Sequence, residues 1–206
     1  MLVDKPLREV LAAFASPDPT PGGGSASAVA AALGASLLRM VAGLPKTRAG
    51  SEEDRAALAG AAAGLTGVQQ QLTEAIDEDA AAYDAVVEAY KQPRSTEAER
   101  AGRTSAIARA LRGATDVPLR VMRLSALGLT HAEAVAAHGH RAAASDIGVA
   151  VALLRAGVHG ARLNVDINLA GLSDAAYRDA VGVEVQRLTR GADESATAAE
   201  RDLGPG

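Results

Sequence analysis

From Glu52 to about Tyr90 the chain holds one repeating pattern and no residue that stops a helix. Leu58, Leu65, Leu72, Ile76, Tyr83, Val87 and Tyr90 recur at steps of three, four and seven, the spacing of one helical face. Interior glycines weaken the pattern without breaking it, and "KQPRST" ends it. At 1.5 Å per residue this predicts a helix about 55 Å long. What packs on it follows from composition. Aromatic residues are 2% of the chain, with no Trp and one Phe, so the core is built from Ala, Leu, Val and Ile. Small side chains let helix backbones approach closely. The expected fold is all-α, a helical bundle with one very long helix, in a single domain spanning residues 1–206 with a polar C-terminal tail from about 192.

The remaining elements follow from their punctuation. Leu7, Val10, Leu11 and Phe14 predict a short first helix ending near Ala15. A Pro/Gly loop leads to a second helix from about Ser25 to Leu44, stopped by Pro45. Ser51, followed by Glu52, Glu53 and Asp54, suits the positive start of the long helix. Thr96 and Glu99 have the spacing of a capping box. The helix they open meets Pro118, which is expected to kink or restart it. A separate short helix is expected over Leu129–Gly139 with Thr130 as its cap. Ser145–Asp146 opens another helix, and Leu172-Ser173-Asp174 opens the last. The segment "RLNVDINLA" alternates like a strand. A lone strand leaves its backbone unsatisfied, so the segment is read as helix, with Asn164 and Asn168 on one face.

Several function classes drop out. The net charge of −4 offers no basic footprint for nucleic acid. There is no Cys, hence no disulfide, thiolate metal site or thiol nucleophile. His131, His138, His140 and His159 lack the spacing of a metal set, so no metal is expected. The apolar runs read as shorter than the roughly 20 residues a membrane span needs, and the N-terminus lacks a signal peptide's apolar centre. A cytoplasmic protein without membrane contact is expected.

Three features carry chemistry. Gly22, Gly23 and Gly24 precede a helix, with Ser25 and Ser27 after them. They match neither a dinucleotide fingerprint nor a P-loop. A glycine run there bares backbone N–H groups and lets a ligand come close; equally, it is a turn with Ser25 as N-cap. Asp79 falls inside the apolar stripe, where a carboxylate costs free energy unless paired or protonated. It is either a structural acceptor or a site group with a shifted pKa, whereas Asp77, Glu78 and Asp84 read as a solvated face. Asp146 begins a helix, and Lys46 and Arg48 sit where they meet either solvent or an anionic substrate.

The stretches "PTPGGGSASA", "IDEDAAAYDAVVEAYKQP", "ATDVPL", "SDIGVAVALL" and "GARLNVDINLAGLSD" occur in this order. Together they resemble the folate cyclodeaminase/cyclohydrolase family over nearly the whole chain, from about Leu7 to Leu188. The resemblance implies an all-helical homodimer without bound cofactor, acting on a tetrahydrofolate derivative as substrate. It implies one of two reactions: hydrolysis of 5,10-methenyltetrahydrofolate, or cyclisation of 5-formiminotetrahydrofolate with loss of ammonia. It further implies that Gly22, Gly23, Gly24 and Ser25 face the ligand, and that Asp79 and Asp146 are acid/base candidates. Asn164 and Asn168 would line or tie the pocket. Where the family carries a Lys-rich stretch this chain reads "GLPKTRAG", leaving Lys46 and Arg48 for the folate carboxylates. Where it carries Gly-Asn this chain has Gly139-His140, and His140 is a further donor or acid/base. The alternative is a non-catalytic helical protein of the same fold that binds folate or serves as a partner subunit.

Overall fold

A computed structural model describes residues 1–204. It contains α1 (Leu7–Phe14), α2 (Gly23–Ala42), α3 (Glu52–Lys91), α4 (Glu97–His138), α5 (Ala144–Ala170) and α6 (Ala175–Leu203). Short 3-10 turns lie at Leu2–Asp4 and Arg141–Ala143. Among the described residues there is no strand, only an isolated bridge between Thr47 and Gly139. The all-helical expectation holds, and the long helix runs 40 residues, about 60 Å.

The expected caps form. The Ser51 side chain accepts from the Asp54 N–H at 3.0 Å. Thr96 and Glu99 close a reciprocal capping box. Asp174 caps α6 by accepting from the Tyr177 N–H. "RLNVDINLA" is helical, inside α5.

Four expectations are corrected. Pro118 neither ends nor restarts its helix: α4 runs on for 42 residues, and Leu129–Gly139 holds its last turns rather than a new element. Thr130 accordingly caps nothing; its hydroxyl donates to the Ala126 carbonyl one turn back. The polar tail from about 192 is the ordered end of α6, whose Ala192, Ala196 and Ala199 are buried. Of the acids read as a solvated face, only Asp84 is exposed. Asp77 accepts from the Leu2 and Val3 N–H groups, and Glu78 pairs with Arg120.

α2 packs on α3 on one side and α5 on the other, and α4 packs against α3, α5 and α6. In α2, Ala28, Ala31 and Ala35 are wholly buried. α2 runs antiparallel to α5, with Gly23 beside Asn164 and Gly34 beside Ala150 and Leu154. The crossing is close because it is made by small residues: a Cβ on Gly157 would strike Ala31, and one on Gly160 would strike Ser27. α2 and the segment Arg141–Ala170 are long and apolar enough to cross a membrane, where the sequence reading had the apolar runs too short, and 56% and 39% of their apolar windows are buried inside the protein.

At the end of α2 remote from Gly23, the loop 43–51 is clamped to α4. The Asp54 carboxylate, almost fully buried, accepts from the Thr47 hydroxyl at 3.0 Å and the Ala49 N–H at 2.7 Å. It also meets His138 Nδ1 at 2.9 Å. These bonds, His138 first, hold its pKa well below the usual carboxylate range. A depressed native pKa contributes stability that is complete above the unfolded value of about 3.9 and is lost as pH falls from there through the native value. Asp54→Asn is therefore expected to lower Tm at pH 7, with the gap to wild type closing as the pH drops below about 4. Thermal melts from pH 7 to pH 2 measure this, and a gap that stays constant over that range would show that ionisation of Asp54 contributes nothing.

Candidate functional site

A cavity of about 330 Å³ opens where the start of α2 meets the middle of α3 and the end of α5. Its walls include Gly22, Gly23, Gly24, Asp79, Asn164 and Asn168, six of the residues singled out in the sequence. The glycines belong to the first helical turn rather than to a loop: Gly22 is the N-cap, and Gly23 and Gly24 are already helical. Their N–H groups lie at the helix terminus, where no helical acceptor exists, in the positive field of the dipole.

Asp79 faces this turn from α3. One carboxylate oxygen accepts from the Ser25 N–H at 2.8 Å and from the Ser25 hydroxyl at 3.1 Å. The hydroxyl also lies 2.9 Å from the Ile76 carbonyl, its alternative acceptor. The turn can approach so closely only because position 24 has no side chain: a Cβ on Gly24 would collide with the Asp79 carboxylate. Half-burial raises the Asp79 pKa above the usual carboxylate value, and the two bonds from Ser25 pull against that rise. Asp79 is thus a carboxyl in the cavity wall with a raised pKa and one oxygen occupied by Ser25.

The asparagines are tied as well as exposed to the cavity. Asn168 Nδ2 donates to the Ala114 carbonyl at 2.7 Å. That carbonyl is the one whose helical partner would be the N–H of residue 118, and Pro118 has none. The side chain across the cavity replaces the missing bond, which is why α4 passes through its proline unbroken. Asn164 Nδ2 donates to the Gly160 carbonyl at 2.9 Å, within its own helix.

The remaining sequence candidates lie elsewhere. Ser25 is wholly buried behind Asp79 and does not line the cavity. Lys46 is exposed beyond the far end of α2. Arg48 is a clamp: its guanidinium donates to the Ala136 and Asp202 carbonyls. His140 precedes the 3-10 turn at Arg141, and Asp146 sits in the first turn of α5. Along α5, Asp146 and Asn168 are about 33 Å apart. None of Lys46, Arg48, His140 and Asp146 reaches the cavity of its own chain. In the other direction, Pro19, Thr20, Tyr83, Val86, Ala114 and Ile167 line the cavity without having been singled out for it. Tyr83 was visible as a stripe residue, but nothing in its spacing distinguishes a residue facing a cavity from one facing the core.

With this geometry in view, the comparisons with known proteins are specific. The family described as formiminotransferase-cyclodeaminase matches residues 6–187. A methenyltetrahydrofolate cyclohydrolase of Methylorubrum extorquens is 39% identical over 179 residues, 87% of this chain and 86% of the relative. A formimidoyltransferase-cyclodeaminase of Sus scrofa is 33% identical over 187 residues, which is 91% of this chain but only 35% of that longer protein. The crystal structure of a formiminotetrahydrofolate cyclodeaminase from Thermotoga maritima superposes with a TM-score of 0.88 at 26% identity, covering 98% of each chain. With its helices, its glycine turn and its half-buried Asp79 arranged as described, the chain belongs to the formiminotransferase-cyclodeaminase family.

Proposed function

We propose that this folate one-carbon enzyme is a methenyltetrahydrofolate cyclohydrolase and that Asp79 is its acid/base. The observation that carries the reading is the Asp79 carboxylate, raised in pKa and held by Ser25 in the wall of a cavity whose other side is a helix N-terminus. The hydrolase is preferred over the deaminase because the cyclohydrolase relative is the more similar in sequence and matches over nearly its full length. Cyclodeamination of 5-formiminotetrahydrofolate is the second reading, favoured by the structural likeness to a cyclodeaminase over 98% of the chain.

The hydrolysis needs three proton movements. Water adds to the carbon bridging N5 and N10, and Asp79 takes its proton as the tetrahedral adduct forms. The same proton then goes to N5 as the N5–C bond breaks, and the adduct's hydroxyl proton leaves to solvent as its C–O bond becomes the carbonyl of the formyl group on N10, so that the methenyl cation and water give the 10-formyl product and one proton. A carboxyl with a raised pKa is the base in the first transfer and, once protonated, the acid in the second. In the deaminase reading N10 attacks the formimino carbon, and the proton is delivered to the departing ammonia. Either way the substrate brings its own one-carbon unit, and the protein's part is positioning and proton transfer, with no bound cofactor in the scheme. The N-terminal N–H groups of α2 offer a place for oxygen or negative charge on the substrate. In this reading the protein is cytoplasmic and works as a homodimer.

Offering both substrates and following methenyltetrahydrofolate by absorbance tests the assignment. Faster consumption of methenyltetrahydrofolate than ammonia release from the formimino compound is expected; the reverse order assigns the deaminase. Asp79→Asn should lower kcat about 10²–10⁴-fold. A raised native pKa means that the ionised form is disfavoured on folding, so its cost appears as pH rises through that pKa. The Asn variant should therefore melt no lower than wild type at pH 7. Near-native kcat in the folded variant would remove Asp79 from the chemistry.

The glycines separate in the same assay. A Cβ on Gly23 meets only Asn164, at an ordinary 3.5 Å, so Gly23→Val should fold and lose substrate binding. Gly24→Ala should instead lose both Tm and activity by displacing Asp79. Calorimetric titration beside thermal melting distinguishes the two, and normal affinity in a folded Gly23→Val protein would exclude a ligand-facing turn.

A further inference from the structure

The cavity continues beyond its own walls. Asp79, Tyr83 and Val86 line it from α3, at steps of four and three that share one helix face. Tyr90, four residues after Val86, falls on the same face and is 51% exposed. On α4 the residue in the cavity wall is Ala114. Ala110, Ile107 and Arg103 precede it at steps of four, three and four, again on one face. The start of α2 meets α3 at Asp79, and the end of α5 meets α4 at Ala114. Past these two residues the α3–α4 hairpin therefore projects beyond both helices. The two faces together form an open groove that leads from the cavity toward the hairpin tip, about 16 Å from Asp79 to Tyr90.

The groove changes in chemistry along its length. The chain has three Tyr and one Phe, and the two of these that are exposed, Tyr83 and Tyr90, both lie on its α3 side. Asp84 and Glu88 fall on the other side of α3, so past Asp79 neither face carries a carboxylate. The groove ends on a cation. Arg103 lies over the Tyr90 ring, 5.5 Å from its centre. Its Nε and one terminal nitrogen donate to the Tyr90 carbonyl at 3.2 and 3.0 Å. Those bonds occupy one edge of the guanidinium. The edge between the two terminal nitrogens has no partner among the described residues, and it is the edge that takes a carboxylate through two parallel bonds. The other arginines along α4 near the cavity are committed: Arg120 to Glu78, Arg112 to Asp174, and Arg100 to the carbonyls of Arg94 and Ser95. An arginine on the last carbonyls of a helix is also a plain C-terminal cap. That accounts for the bonds to Tyr90, but not for an open guanidinium edge in line with a cavity and two bare tyrosines.

We infer that this groove holds the aminobenzoylglutamate arm of the substrate, with the aminobenzoyl ring against Tyr83 and Val86 and a glutamate carboxylate on the free edge of Arg103. Tyr90 positions the guanidinium. The lengths agree. With bonds of about 1.3–1.5 Å, the arm sets its ring about 5 Å from the one-carbon bridge and its carboxylates about 10–14 Å from it. Along α3, Tyr83 is about 6 Å and Tyr90 about 16 Å from Asp79, and the last few ångströms are the span of the ion pair itself. Lys46 and Arg48, which the resemblance implied for these carboxylates, lie at the far end of α2 in their own chain. The groove follows from the helices alone; its occupant rests on the folate reading.

Methenyltetrahydrofolate and its glutamate dimethyl ester, which keeps the length of the arm but not its charge, test the subsite. The wild type should turn over both, with KM about tenfold higher for the diester and kcat little changed. Arg103→Gln keeps an N–H for the Tyr90 carbonyl and loses the charged fork. It should raise KM for the acid about tenfold and leave KM for the diester as it was. Arg103→Lys, with the charge but without the fork, should fall between. Tyr83→Ala should raise KM for both compounds alike, because both carry the ring. Equal KM values for acid and diester in the wild type would overturn the subsite. So would an Arg103→Gln protein that binds the acid normally, or one that loses both compounds equally, which is the behaviour of a helix cap alone. If the wild type prefers the formimino compound, the same acid and diester pair made from it gives the same readings. No turnover of any of these by the wild type would remove the folate reading, and the occupant of the groove with it.

Discussion

No side chain separates the first turn of α2 from Asp79, and the rest of the site is arranged around that contact. Gly24 makes room for it, Ser25 supplies two hydrogen bonds to it, and the small residues further along α2 let the helix stay close to α3 and α5 over its length. In a core nearly without aromatics, packing comes from backbone proximity rather than from large side chains filling the space between helices. A carboxylate can then sit within reach of a helix terminus and still border a cavity.

The two buried-side aspartates show how the same residue type is put to opposite uses. Asp54 receives several hydrogen bonds and is held ionised, which ties a loop to the end of α4. Asp79 is half-buried with only Ser25 to compensate, and its ionised form is disfavoured. The first arrangement stabilises the fold at neutral pH. The second costs stability there, the pattern expected where a group is kept for proton transfer rather than for structure.

Much of this was legible in the sequence because helical periodicity, caps and an acid in an apolar stripe are local signals. Ser51, Thr96–Glu99 and Asp174 reported their helix starts correctly, and the place of Asp79 in the stripe foretold its environment. Pro118 misled, because the bond that compensates for it comes from Asn168, 50 residues later and on another helix. The start of α2 was misplaced for a similar reason: glycine is a poor helix former, and the demand for it at position 24 comes from α3. Lys46, Arg48, His140 and Asp146 were grouped with the site by resemblance, whereas the antiparallel course of α2 and α5 puts them at the other end of their own chain. Spacing along a sequence carries no information about such long-range placement.

The anchoring of the two asparagines gives the cavity a polarity. Asn164 and Asn168 each commit one of their two amide N–H groups to a backbone carbonyl, which fixes the side chain and leaves one N–H and the oxygen for whatever enters. With Asp79, the α3 and α5 walls therefore offer both acceptors and donors, while the terminal N–H groups of Gly23 and Gly24 offer donors alone. A molecule that fills the space must carry acceptors along the edge that meets the glycine turn and can carry either kind of group along the opposite one. A uniformly apolar ring of the same size would leave both walls unsatisfied, and a ligand that turned a donor edge to the start of α2 would set donor against donor. The missing N–H of one proline, answered from across the cavity, thus fixes how the Asn168 amide meets whatever enters.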